Sequence, residues 1–428
     1  MLSRHFRFEE MQTSLRREVV AGATTFVTMA YIIFVNPTIL SGAGMPFAPT
    51  VAATCLGAAI PTIAMGLLAN YPFALAAGMG MNGAVVAFAL SRGLTWQQAM
   101  GVIVLEGLLI AILVLAGLRE AVMRAIPMDL KRAIGVGIGL LIALLGMVNA
   151  GWVVHPKTGS ILSFGSLRST PALIATAGVA ITAVLLAWRV RGALLLGVFA
   201  TTGIALAFGR ARLPAAVVSL PDFSNFGQAD VLGVLSFGFA AAIFSFLMVD
   251  FFDTMGTVIG IGEQGGFVDE KGNLPRLNRV LLIDSLAAAW GGWCGASSTT
   301  TYIESAAGVA EGGRTGLTSV VVGLLFLLAL FLSPIAGMVP AIATAPALIA
   351  VGFLLMSLVK DISFGQFEES FPAFLIVIVT PLTLSISHGI GYGFIAYTLI
   401  KLLTGKARQI HPLMAAISVL FAISFAIE

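Results

Sequence analysis

Apolar runs follow one another along the chain with only short polar interruptions. In the first half they lie near 19–35, 48–69, 72–90, 97–117, 133–149, 171–188 and 193–208. After a polar connection at 221–230 they resume near 233–260, 280–295, 297–312, 315–333, 338–358, 371–387 and 389–403, with a last run near 412–427. A helical crossing takes about 20 residues plus a connection, so the chain has room for roughly fourteen crossings and no sizeable soluble domain. The pattern predicts an all-α polytopic membrane protein.

The segment 1–18 is polar and carries Arg4, Arg7, Arg16 and Arg17. The apolar run after it lacks the small-residue cleavage pattern of a signal peptide, so a cytoplasmic N-terminus is expected. From that start the basic connections at 119–132, 189–191 and 271–279, Lys360 and the connection at 401–408 all fall on the cytoplasmic side, as the positive-inside rule requires. Lys157, Arg168, Arg210 and Arg212 fall outside. An odd number of crossings per half inverts the second half relative to the first. The expected organisation is a first inverted repeat at 19–225, a second at 226–411, and an apolar segment at 412–428 that is either a further span or an interfacial helix.

Composition agrees: 58% of the 428 residues are hydrophobic, 10% are charged, and the mean hydropathy is +1.02, which fits the bilayer as solvent. The two cysteines, Cys55 and Cys294, sit in apolar runs and suggest neither a disulfide framework nor a metal cluster. The net charge of +3 gives no warrant for nucleic-acid binding. No cofactor or metal site is expected.

Inverted repeats predict that unusual features recur at matching places. The third run of each half is interrupted: YPFALAAGMGMNGAVVAFAL in the first, WCGASSTTTYIESAAGVAEG in the second. In each, glycine and small residues precede a short helix-like run, so extended backbone could expose N–H and C=O groups in a cavity at membrane depth. Gly78 to Gly83 matches the spacing of a dinucleotide loop, but the soluble βαβ unit that reading requires is missing.

Carboxylates mark the same places. A charged acid at the bilayer centre costs about 2.5 to 3.5 kcal/mol, so Glu304, just after the threonine cluster, is a functional candidate. Asp250 and Asp253 stand three apart and share a helix face with Thr257, and Asp284 follows in the next run. Four ionised acids in hydrocarbon would cost on the order of 10 kcal/mol, so they must be paired, protonated or wetted. An acid in such a cavity can exchange protons near neutral pH, the minimum equipment for proton coupling. Asp253 and Glu304 are the stronger candidates; Asp250 and Asp284 serve equally well as core locks. Glu106, alone in VIVLEGLLI with no polar neighbour in sequence, reads either as a functional acid or as a buried structural hydrogen-bonding residue. His388 lies at the junction of two late runs and reads as a junction residue.

TSLRREVVAGATTFVTMAYIIFVNPTIL, GMGMNG, VDFFDTMGT and TTTYIESAAGVAEGGRTGLT, in this order, closely resemble the AzgA-like purine permeases of the nucleobase/cation symporter-2, or xanthine/uracil permease, family. The resemblance runs from about Thr13 to Pro412. It implies fourteen spans in two inverted repeats, with a short strand and half-helix in the third and tenth. A core (19–117 and 233–333) would move against a gate (133–208 and 338–403) by an elevator motion. It further implies proton-linked uptake of a purine base across the cell membrane, with uracil as an alternative substrate, and relatives of this fold often form homodimers.

Carried over residue by residue, Glu304 would accept hydrogen bonds from one edge of a planar base. Asp253 would bind a second edge or carry the proton, while Thr257 stands where uracil-type relatives have a histidine. Asn82 would offer a donor and an acceptor, Gly80 would let backbone approach the ring, and Thr301 and Tyr302 would supply backbone groups. Phe88, Phe246 or Phe252 could stack on the base. The chain departs from the family pattern at Ala77, Met81 and Gly83, followed by Ala84, Val85 and Val86, and at His388, where the family often has an acid. Losing a proline and bulky aromatics beside Asn82 would loosen or enlarge the pocket wall, so the substrate need not be the usual adenine, guanine or hypoxanthine, and xanthine stays among the candidates. An anion exchanger of the same fold is disfavoured by a negative Glu304, and an intramembrane enzyme by the lack of an H-E-x-x-H or Cys/His cluster.

Overall fold

Several helices begin at a serine, threonine or proline or end at a glycine, and these signals fix their ends. The computed structural model describes residues 5–117, 125–154, 162–214, 216–268 and 274–427. Arg4, Arg119, Lys157 and Lys271, used above to orient the chain, lie outside the described residues.

Helix α1 (Leu15–Met29) starts at Ser14, whose hydroxyl accepts from the Arg17 amide. The run expected at 19–35 does not continue smoothly: the chain turns at Ala30–Tyr31 and resumes as α2 (Ile32–Leu40), which contains Pro37. Helix α3 (Phe47–Ala64) follows Pro46 and opens into a wider turn over Met65–Ala69. It ends at Asn70, in the left-handed region at φ 53°. Strand β1 (Leu75–Ala77) leads into α4 (Met79–Arg92), which stops at Gly93 with φ 62°, a conformation glycine adopts without a Cβ penalty. Reciprocal capping by Thr95 and Gln98 starts α5 (Trp96–Leu115). The first half closes with α6 (Met128–Asn149), the hairpin of β2 (Val153–Val154) and β3 (Ser163–Phe164), α7 (Thr170–Ala187) and α8 (Ala193–Ala207).

The second half opens with α9 (Phe237–Gln264) and α10 (Leu277–Cys294), then β4 (Thr299–Thr301) and the short α11 (Ser305–Ala310). It continues with α12 (Gly316–Ala329), α13 (Ser333–Met338), α14 (Ala341–Met356), α15 (Phe367–Thr383), α16 (Ile386–Leu403) and α17 (Pro412–Ile427). Among the described residues, nine helical stretches are long and apolar enough to cross a membrane, and α8 and residues 412–426 are shorter apolar helices. The last run docks sideways on α16, through Ser418 and Thr398 hydroxyls 2.7 Å apart and the Phe394–Phe421 edge contact.

Helices α1, α3, α5, α9, α10 and α12 pack around the two short segments β1–α4 and β4–α11, whereas α6 lies along α14 and α15, α15 pairs with α16, and α7 and α8 close on α14. Small residues permit this closeness, since association in lipid depends on close van der Waals contact. A Cβ on Gly139 of α6 would come 2.8 Å from the Gly352 carbonyl of α14, and one on Gly352 would come 2.6 Å from the Gly139 carbonyl.

Candidate functional site

The two interrupted segments meet. β1 and β4 pair antiparallel, Leu75 with Thr301, Ala76 with Thr300 and Ala77 with Thr299. The Gly78 amide donates to the Ser298 carbonyl at 2.8 Å and the Tyr302 amide to the Ala74 carbonyl at 2.9 Å, which extends the ladder at both ends. Extended backbone at membrane depth is thus satisfied by its counterpart from the other half, as a non-aqueous solvent demands. Helix α4 leaves this crossing after Gly78 and α11 after Glu304.

Asp284 of α10 fastens β4 in place. Its Oδ1 accepts from the Thr301 amide at 2.8 Å and the Thr301 hydroxyl at 2.7 Å, and its Oδ2 from the Thr254 hydroxyl at 2.5 Å. Thr254 also meets the Thr300 hydroxyl at 2.7 Å. Hydrogen bonds to a charged group are each worth about 1.5–3 kcal/mol, so Asp284 serves as a lock between α9, α10 and β4.

Glu304 is half-buried at the start of α11, and the buried Tyr31 hydroxyl donates to its Oε1 at 2.7 Å. The turn at Ala30–Tyr31 brings the phenol here. Asn82, in the first turns of α4, is fully buried, and both its side-chain nitrogen and its side-chain oxygen lack a protein partner. A buried amide without partners forfeits hydrogen bonds that a ligand or water can supply.

Asp250 and Asp253 do not act on one face as expected. Asp250 is buried and accepts from the Ser298 hydroxyl at 3.1 Å, whereas Asp253 is exposed. Three to four residues separate neighbours on one side of a helix, so a wide sector can straddle a buried and an open side. Thr257 is half-buried, and Gly260 and Gln264 continue the exposed line from Asp253 toward the end of α9. A Cβ on Gly260 would meet nothing within 4 Å. In the opposite direction Phe246 is buried and packs edge-on against Phe88, ring centroids 5.7 Å apart. The accessible positions of α9 thus run from Asp253 toward its C-terminal end, and buried aromatic rings pack toward its N-terminal end.

Other expected contributors are placed differently. The amides of Thr301 and Tyr302 are already used by Asp284 and Ala74, and the Tyr302 hydroxyl donates to the Ala77 carbonyl at 2.5 Å, so both residues hold the strand pair. A Cβ on Gly80 would lie 2.6 Å from Ile138 Cγ2, so this glycine lets α4 approach α6. The Phe252 side chain lies outside the described residues. Glu106 does not make the hydrogen bond expected of a structural residue: it is fully buried and neither carboxyl oxygen has a partner. Tyr31 and Ser298 escaped the sequence reading; a tyrosine in an apolar run, one of five in the chain, was the available signal for the former.

Two broken segments, one from each half of the chain, crossing among apolar helices with carboxylates and an unsatisfied amide around them, give the architecture of a membrane transporter with a central polar site. A family model described as Permease family matches residues 16–392. The adenine permease AdeP of Escherichia coli (strain K12) is 43% identical, over 98% of this chain and 95% of that protein. The guanine/hypoxanthine permease PbuO of Bacillus subtilis (strain 168) is 42% identical, over 98% of this chain and 99% of that protein. The chain therefore belongs to the xanthine/uracil permease family, and its relatives there include purine nucleobase permeases. Among solved structures, the transmembrane domain of the cyanobacterial bicarbonate transporter BicA superposes with a TM-score of 0.64 over 87% of this chain and 97% of that one, at 17% identity, a likeness of fold alone.

Proposed function

We propose that this chain is a proton-coupled symporter that takes up a purine nucleobase, adenine, guanine, hypoxanthine or xanthine, across the cell membrane. The observation that carries the reading is Glu304, a half-buried carboxylate at the crossing of the broken segments with one oxygen held by Tyr31. A carboxylate has about four lone-pair sites, so Glu304 retains acceptors for the ring N–H and exocyclic amine of a base. Asn82 offers an unpaired donor and acceptor to the same ligand, and Asp253 and Thr257 face the open route beside it. Asp253 and Glu304 are the acids placed to exchange a proton with that route. Asp250 and Asp284 lie behind them, and Thr301, Tyr302 and Gly80 hold the crossing in shape.

In this reading the chain has fourteen crossings in two inverted repeats and a cytoplasmic N-terminus. The group around the crossing (19–117 and 233–333) moves as a core against the gate formed by 133–208 and 338–403. With that orientation the exposed line Asp253–Thr257–Gly260–Gln264 runs from the site to the cytoplasm, so the conformation described is open inward. Uptake of radiolabelled base in a permease-deficient host tests the site: Glu304→Gln should lose roughly 30-fold or more in uptake, the equivalent of about 2–5 kcal/mol for a buried charged partner. The variant should reach the membrane at wild-type level; wild-type uptake by it would remove Glu304 from the site.

A further inference from the structure

Glu106 is left without a role by the site described above. It lies midway along α5, fully buried, with both carboxyl oxygens free of hydrogen-bond partners. The acids that act on Glu106 come from helices packed against α5: Asp284 from α10 and Asp250 from α9, with Asp253 one turn beyond Asp250. Helix α4 adds Arg92 only in its last turn. The Ser298 hydroxyl, immediately before β4, stands near Glu106 and donates to Asp250 Oδ1 at 3.1 Å, while Asp250 Oδ2 has no partner.

The three buried acids are thus served unequally. Asp284 receives three hydrogen bonds, Asp250 one and Glu106 none. An ionised carboxylate in a low-dielectric interior needs donors or a counter-charge. Asp284 has donors enough to stay ionised. Beside Glu106 the described residues place only the Ser298 hydroxyl, whose proton is committed to Asp250, and the acids Asp250 and Asp284, so a bound proton is what makes its burial tolerable. A protonated Glu106 is also a donor, and Asp250 Oδ2 is an acceptor in want of one.

We infer that Glu106 and Asp250, bridged by Ser298, form a proton-holding pair behind the substrate site, with Glu106 as a coupling residue that does not touch the base. One proton resides on Glu106 and is shared with Asp250. It leaves through Asp250 to Asp253, one turn along α9 and in contact with the open route, and is replaced by the same path from the other side. This rests on the symport reading above. Because Ser298 leads directly into β4 and Glu304, filling the substrate site can alter how well the pair holds its proton.

The test uses full-length protein in proteoliposomes. Glu106→Gln should keep base-for-base exchange running while gradient-driven accumulation falls by roughly tenfold, within the usual range of coupling between two sites, and its pH dependence flattens. Glu106→Asp should restore the pH dependence in part. Independently of transport, the infrared carbonyl stretch of a protonated buried carboxyl should be present in the wild type at neutral pH and missing in Glu106→Gln. An unchanged infrared spectrum, or accumulation in Glu106→Gln with the wild-type pH profile, would overturn the inference. So would equal loss of exchange and accumulation, which would make Glu106 structural, or a sodium dependence abolished by the substitution, which would make the pair a cation site. Absence of purine transport by the wild type would instead strike the symport reading, and the infrared result would still decide the state of Glu106.

Discussion

At the scale of single residues, the Tyr31–Glu304 hydrogen bond ties the first interrupted helix to the carboxylate proposed to bind the base. The phenol is a neutral donor to a carboxylate, and such a bond contributes about 1.5–3 kcal/mol. Tyr31→Phe should therefore raise the apparent KM for base by roughly 10- to 150-fold without loss of protein from the membrane, by the conversion of 1.4 kcal/mol per tenfold. An unchanged KM would mean that the bond is not kept when the base is bound. The sequence exposes Glu304 and Asp253 because a charge in an apolar run is costly and therefore conspicuous. It conceals Tyr31, whose ring is at home in such a run, and its partner lies 273 positions away. It also conceals the parting of Asp250 from Asp253, since spacing gives relative angles around α9 but not the phase of the helix against its neighbours.

At the scale of elements, the interrupted segments were legible because glycine and threonine clusters are poor continuations of an apolar helix. Their pairing as β1 and β4 follows from the need of every backbone group in lipid for a partner. The turn at Ala30–Tyr31 and the wide turn at Met65–Ala69 were not legible, because both lie within uninterrupted apolar sequence. The exposed line along α9 carries its own prediction. With Cys55 and Cys294 replaced by alanine, cysteines at Thr257, Gly260 and Gln264 should react with a membrane-impermeant thiol reagent from the cytoplasmic face, and purine base should protect position 257 more than position 264. Reaction from the outer face alone would reverse the assigned direction of opening.

At the scale of the whole molecule, two packing groups meet around one polar crossing, and each half of the chain supplies one broken segment. That the chain is a helical membrane protein could be read from its hydropathy. The division into groups could not, because helices adjacent in sequence, such as α5 and α6, pack with different partners. In the proposed function, a proton gradient drives base accumulation only if the proposed substrate site and the buried acids face one side at a time. The most direct measurement is uptake of labelled adenine by the wild-type protein in a permease-deficient host, with guanine, hypoxanthine, xanthine and uracil as competitors, before and after collapse of the proton gradient. The expected result is competition by one or more purines but not by uracil, with accumulation lost when the gradient is collapsed. Accumulation that survives the collapse, or competition by uracil alone, would contradict proton-coupled purine transport.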